Sequence, residues 1–185
     1  MRVFIAYPIS DEVKNEIIRV QDELKGLNAG KRITWVNPEA MHVTVQFLGD
    51  VEDEQIENIK QVLRTAPSAS RRFTYRLDGL DAFPNIREPR VLIIRATDES
   101  GTGEKLQQDV AEGLRRVGIE DDGKTWTAHV TIGRNKEGGF VKGMADIKAS
   151  AIEWDVDWVE LIASELTPDG PRYTVLQTFR LVDHG

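Results

Sequence analysis

The stretch Met41-His42-Val43-Thr44-Val45 returns in the second half of the chain as Ala128-His129-Val130-Thr131-Ile132. The chain holds only three histidines, so two of them stand in one His-Val-Thr-aliphatic string. Chance gives such a match on the order of once in 10⁴ sequences or less. In an extended strand, residues i and i+2 project to one side and i+1 and i+3 to the other. His42 and Thr44 therefore share a face while Val43 and Val45 enter a core, and His129 and Thr131 stand likewise against Val130 and Ile132. Two such edges facing each other enclose an anion between two imidazoles and two hydroxyls. A tetrahedral phosphate fits that set, and Arg134 lies close enough in sequence to add charge. Imidazoles titrating near pH 6.5 suit paired proton transfer, one neutral and accepting, the other charged and donating. The two strings are nearly identical, so these residues alone leave open which histidine is the acid.

Attack on phosphorus by water with two proton transfers needs no metal. A catalytic zinc site takes three protein ligands. The third histidine, His184, stands beside the C-terminus in a tail expected to fray, no carboxylate is nominated, and cysteine is absent. No metal or cofactor is expected. Residues Gly118 to Thr125 fit the phosphate-loop pattern G-x-x-x-x-G-K-[ST]. Such a loop follows a strand and opens a helix. This segment instead follows a helical pattern and carries Glu120, Asp121 and Asp122 where phosphates would lie, so it reads as an acidic turn.

Outward from the two strings, Ser10 caps a helix expected over 11–27, with Val13, Ile17, Val20, Leu24 and Leu27 on one face. A second helix is expected over 53–66, ending at Pro67, and a third over 103–117, stopped by Gly118. Strands are expected at 1–8, 32–36, 42–48, 71–80, 89–94, 128–134, 154–164 and 172–181, while 136–150 gives no clear pattern. Helices arrive singly between groups of strands, which points to α+β with antiparallel sheets. The whole of 1–185 reads as one domain: 40% of its residues are hydrophobic and 30% charged, and no linker divides it. No apolar run approaches the roughly 20 residues of a membrane span. The apolar start is too short for a secretory signal, so a cytoplasmic protein is expected. The net charge of −7 disfavours long contacts with duplex DNA but not recognition of one phosphate or of an RNA end.

These features together resemble the 2H phosphoesterase superfamily, and within it the RNA 2′,3′-cyclic phosphodiesterases, also called 2′-5′ RNA ligases. The similarity runs through Arg2-Val3-Phe4-Ile5-Ala6, Thr34-Trp35-Val36, Pro38-Glu39, His42-Val43-Thr44-Val45, Phe47-Leu48-Gly49 and Ala82-Phe83-Pro84. It continues through His129-Val130-Thr131-Ile132 with Arg134, Ser164-Glu165-Leu166 and Gly170-Pro171-Arg172-Tyr173. The chain departs from the pattern at Leu92-Ile93-Ile94, where such proteins often carry a tryptophan. The resemblance implies two pseudo-symmetric lobes, each an antiparallel sheet backed by helices, with the active-site cleft between them. One lobe would contain both chain ends and the other the middle of the chain. It further implies hydrolysis of 2′,3′-cyclic phosphate ends of RNA to 2′-phosphates, with ATP-independent 2′-5′ joining as a side reaction, by a monomer. In these roles His42 donates a proton to the leaving oxygen, His129 accepts one from water, and Thr44, Thr131 and Arg134 hold the phosphate. Other readings are a phosphodiesterase for 2′-5′ oligoadenylates or a small cyclic phosphate, and a non-catalytic RNA-end binding module. Tyr7, Trp35, Phe47 and Tyr173 are candidates to stack on a base, although Phe47, at an odd offset from His42, is expected to face the core. Lys31-Arg32 and Arg71-Arg72 are candidate basic rims, or simply solvated charges.

Overall fold

Ser10 accepts a hydrogen bond from the Val13 amide and opens helix α1, Asp11–Leu27, whose apolar stripe of Val13, Ile17, Val20 and Leu24 is completely buried. A computed structural model describes residues 1–183 of the chain; His184 lies outside them. Two further helices follow, α2 (Asp53–Thr65) and α3 (Thr102–Arg116). Gly118, at φ +85°, lets the Ile119 amide turn back to the Leu114 carbonyl and close α3.

The strands are β1 (Arg2–Tyr7), β2 (Ile33–Trp35), β3 (Val43–Asp50), β4 (Phe73–Phe83), β5 (Val91–Thr97), β6 (His129–Asn135), β7 (Glu153–Val156), β8 (Trp158–Thr167) and β9 (Gly170–Arg180). The stretch expected as one strand over 154–164 is two, divided at Asp157, and 136–150 forms turns. Every pairing between these strands is antiparallel, in the order β7-β4-β5-β6-β3-β1-β8-β9, with β2 added to β6. The two lobes are β3-β1-β8-β9, which carries the first and last strands, and β7-β4-β5-β6 with β2. Their sheets run into each other at one residue pair, Val43 with Val130.

Strand β1 shows how the sheet divides its faces. Val3, Ile5 and Tyr7 enter a main core shared by both lobes, while Phe4 and Ala6 pack with Ile162 and Tyr173 in a small cluster on the other side. The main core carries the helices. From α1, Gln21 Nε2 donates to the carbonyls of Val36 and Ile132. The Tyr7 hydroxyl donates to the Gly103 carbonyl in α3, 2.8 Å away. Tyr7 is therefore a core residue and does not reach a substrate. Trp35 is also removed from the cleft: it packs against the main core, and the Lys25 ammonium lies over its ring.

The carboxylate of Glu16 ties α1 to the irregular segment before β7. It accepts from Arg19 Nε and Nη2 at 2.7 and 2.9 Å and from the Ser150 amide at 2.6 Å, and Arg19 Nη2 also donates to the Lys148 carbonyl. The Arg19 guanidinium holds the Glu16 carboxyl below its ordinary range. A depressed carboxyl stabilises the fold above its unfolded-state pKa and ceases to do so as the pH falls through its folded-state value. Glu16→Gln is expected to lower the unfolding free energy at pH 7 by about 1.5–3 kcal/mol. Urea titrations should show that gap closing in acid, and a gap that persists at low pH would contradict the assignment.

Candidate active site

The pair Val43–Val130 sets the geometry of the site. Both side chains are fully buried, so their neighbours in sequence face the opposite side. Carried one residue along antiparallel strands, the register sets His42 beside Thr131 and His129 beside Thr44. The two strings therefore cross head to tail about a local twofold axis. The histidines are diagonal neighbours, a relation that spaces β-carbons about 7–8 Å apart and leaves room for a tetrahedral anion between the rings.

A bulge follows each string at the same offset. On β3 the partners of Ile5 and Ala6 are Gln46 and Thr44, which leaves Val45 as the extra residue. On β6 the partners of Leu92 and Ile93 are Gly133 and Thr131, which leaves Ile132 as the extra residue. Each bulge places two consecutive residues inward and resets the alternation. Phe47 and Arg134, each five residues past its histidine, therefore turn to the cleft side. The expectation that Phe47 faces the core fails for this reason: the residue is 66% exposed. The same irregularity brings Arg134 onto the face of Thr131.

The surroundings of the two imidazoles differ. His42 lies against Phe4, ring centroids 4.7 Å apart, and edge-on to Tyr173 at 5.7 Å. Burial among these rings pushes its pKa down to about 4; a hydrogen bond to the backbone of Ala40 opposes that shift and the charge of His129 adds to it. His129 packs edge-on to Phe83 at 5.1 Å, and its Nδ1 lies 2.8 Å from the Thr127 carbonyl. A carbonyl only accepts, so Nδ1 carries the hydrogen and Nε2 presents a lone pair. Burial lowers the His129 pKa, and the Arg95 and Arg134 guanidiniums lower it further. Arg95 stands directly opposite His129 in the β5–β6 register and is held by Asp81 at 2.5 Å.

A cavity of about 540 Å³ joins the two halves, lined by Thr44 and Phe47 from β3, Phe83 and His129 from the other lobe, and residues of the 121–127 loop. That loop includes the end of the phosphate-loop lookalike. Its Asp121 and Asp122 side chains accept from the Gly123 and Lys124 amides, so the backbone donors a nucleotide would need are already taken. Trp126 anchors the loop by donating Nε1–H to the Thr44 carbonyl at 2.9 Å. Among the described residues, no group of three or more His, Cys, Asp or Glu side chains is placed to hold a metal ion.

Of the sequence candidates, Thr44, Phe47 and His129 line this cavity; His42 packs against Phe4 and Tyr173, the register sets it beside Thr131, and Arg134 lies exposed on the Thr131 face. Arg72 is not a basic rim; it forms ion pairs with Asp157 and Asp183. Arg95 and Trp126 carry no signal in the sequence, and Phe4 and Phe83 enter there only as part of the family pattern, with no role beside the histidines. Phe4 lies in a strand apolar on both faces, where alternation carries no information. Arg95 and Trp126 depend on pairings between distant segments. Ile93, in the stretch where related proteins often carry tryptophan, lies buried opposite Thr131.

Comparison with known proteins converges on one group. Residues 8–93 match the family model described as LigT like Phosphoesterase. The RNA 2′,3′-cyclic phosphodiesterase of Archaeoglobus fulgidus is 34% identical, covering 97% of this chain and 99% of that protein. The protein of the same name from Thermotoga maritima is 32% identical over 95% and 93%. Among solved structures, TT0787 of Thermus thermophilus superposes with a TM-score of 0.84 at 27% identity over the full length of both chains. Escherichia coli LigT, solved with 3′-AMP, shares the fold with a TM-score of 0.81 at 21% identity over 97% of each chain. With near-complete coverage by relatives above 30% identity, the chain belongs to the LigT-like phosphoesterase family of the 2H superfamily.

Proposed function

We propose that the protein hydrolyses 2′,3′-cyclic phosphate ends of RNA to 2′-phosphomonoesters, without a metal, by proton transfer between His42 and His129. The observation that carries this reading is the head-to-tail crossing of the two strings, which sets two imidazoles about one anion-sized space. Thr44 and Thr131 donate their hydroxyls to the non-bridging oxygens, and Arg134 balances their charge. Water attacks phosphorus opposite the 3′ oxygen, and its proton passes to Nε2 of His129. The bond from phosphorus to the 3′ oxygen breaks, and that oxygen takes a proton from His42. A 5′-hydroxyl in place of water gives a 2′-5′ phosphodiester by the same transfers, with no ATP. The reading includes a monomeric, cytoplasmic enzyme that does not act on duplex DNA; no helix among the described residues is long and apolar enough to cross a membrane.

The surroundings of each ring support the assignment of acid and base. Burial, with Arg95 and Arg134 adding positive charge, holds the His129 pKa below its ordinary value in the empty cleft, which favours the neutral ring that a base requires. His42 is depressed chiefly by burial, and an anionic phosphate beside it supplies the countercharge that makes its protonated form favourable.

Either His42→Ala or His129→Ala is expected to lower kcat by roughly 10²–10⁴-fold while the fold survives. Turnover of RNA ending in a 2′,3′-cyclic phosphate, in chelator and without ATP, is the measurement. Full activity in both variants would remove the proton-transfer roles, and inhibition by chelator would remove the metal-free mechanism. The pH profile provides a separate check. The profile of kcat/KM reports the free enzyme and that of kcat the complex. With His42 at about 4 in the empty cleft, the alkaline limb of kcat/KM is expected below neutrality. In kcat that limb moves to higher pH, because bound phosphate raises the His42 pKa. Coincident limbs would contradict the role given to the substrate anion.

A further inference from the structure

Beyond Arg134 the cleft face continues onto a surface unlike the rest of this acidic chain. The segments 31–36, 84–91 and 133–142 carry seven cations, Lys31, Arg32, Arg87, Arg90, Arg134, Lys136 and Lys142, against two carboxylates, Glu88 and Glu137. Among the described residues none of the seven forms an ion pair, whereas cations elsewhere, such as Arg19, Arg72, Arg95 and Arg115, do. The residues are also ordered. Past the bulge, Arg134 is exposed between the buried Gly133 and Asn135 and so lies on the face of Thr131. Strand β2 pairs Thr34 with Arg134 and Ile33 with Asn135, and Arg32 and Lys136, both exposed, are the next residues beyond this ladder. The Glu137 carboxylate is turned to the Arg32 backbone amide, and the Lys31 ammonium and Arg90 guanidinium donate to carbonyls of the same turn, those of Gly138 and Lys136. Just past the turn stands Phe140, 64% exposed. Among the described residues Phe47 and Phe140 are the exposed aromatics, one on β3 next to the His42 string and one just past the turn that follows β6.

Cations in a line with an exposed ring at the end form the pattern that binds single-stranded nucleic acid: charges follow the phosphates and the ring stacks on a base. We propose that Arg134, Lys136 and Arg32, ending at Phe140, hold the RNA strand upstream of the cyclic phosphate. The enzyme then selects polynucleotide ends over nucleoside cyclic phosphates. A terminal cyclic phosphate leaves the chain only its 5′ direction, and this surface continues from the strand that carries His129 and Thr131, with Lys136 about 15 Å from Thr131 at strand rise. This proposal rests on the hydrolytic reading above and narrows its substrate class.

The test compares a nucleoside 2′,3′-cyclic phosphate with a single-stranded hexanucleotide bearing the same terminal group, using the wild type, Lys136→Gln, and the triple variant Arg32→Gln, Lys136→Gln, Phe140→Ser. All three side chains are exposed, so the fold is retained. At low salt the wild type should show a KM about 10-fold or more lower for the hexanucleotide, with a salt dependence of about 0.7 in log–log slope per phosphate held. The triple variant should lose most of that advantage and flatten the slope, while its kcat/KM for the nucleoside substrate stays at the wild-type value. Lys136→Gln should fall between. Equal KM values for the two substrates in the wild type, or an undiminished advantage in the triple variant, would overturn the proposal. If neither substrate turns over, the hydrolytic reading fails instead. Fluorescence anisotropy of a labelled hexanucleotide ending in a 2′-phosphate then decides the surface: weaker binding by the triple variant supports it, and equal binding overturns it.

Discussion

The one contact on which the site depends is the pairing of Val43 with Val130. Each valine is anchored in the shared core, and burial of such a side chain is worth about 1.5–3 kcal/mol. That anchoring fixes register at the one place where the two sheets meet. A slip of one residue on either strand would exchange core and cleft faces, burying a histidine and a threonine and exposing two valines. The geometry of the chemistry is therefore held by groups that take no part in it. The imidazoles need no direct bond to each other; their placement follows from the pleat and from the apolar residues between them.

Much of this was legible in the chain because it depends on period. Helix α1 is found at the expected residues, capped by Ser10, since a 3.6-residue stripe and a cap are local signals. The facing of His42, Thr44, His129 and Thr131 followed from a period of two. What failed was also a matter of period. Phe47 was assigned inward by parity, and parity holds only while the ladder is unbroken; the bulge at Val45 breaks it. Arg134 was nominated for its charge and nearness, although strict alternation from Thr131 would have pointed it inward, and the bulge at Ile132 places it outward. The two bulges sit at matching positions, so the repeat extends beyond the His-Val-Thr string into backbone geometry that side-chain identity does not announce. Arg95 was illegible for another reason: its place opposite His129 is a pairing between distant segments, and nothing local to Arg95 indicates it.

A net charge of −7 and the proposed phosphate site are compatible because charge acts over about 8–10 Å in physiological salt. Most of the acidic residues lie outside the three segments that border Arg134, where cations are left without ion pairs. Overall charge thus speaks against wrapping duplex DNA, and local charge sets what the cleft attracts. The ion-paired arginines illustrate the contrast. Arg72, bound to Asp157 and Asp183, fastens strands, and Arg19, bound to Glu16, fastens a helix; neither has charge to spare for a ligand.

The repeat gives the site its symmetry, but acid–base chemistry needs asymmetry, and that comes from side chains outside the strings. The two strings differ only in their final aliphatic residue and both sit in the same type of strand, so nothing within them separates donor from acceptor. Around His42 stand Phe4 and Tyr173, whose effect is to remove water. His129 is lowered first by burial as well, and Arg95 and Arg134 add positive charge that has no counterpart around His42. Both surroundings disfavour a protonated ring in the empty cleft, yet a bound anion acts on them unequally. Beside His42 it becomes the main countercharge in a dry pocket, where the interaction is strong. Beside His129 it is shared with the Arg134 guanidinium, while Arg95 is already held by Asp81. In the proposed reaction the same phosphate therefore protonates one ring more readily than the other, and the difference between the surroundings of the two strings gives proton transfer its direction.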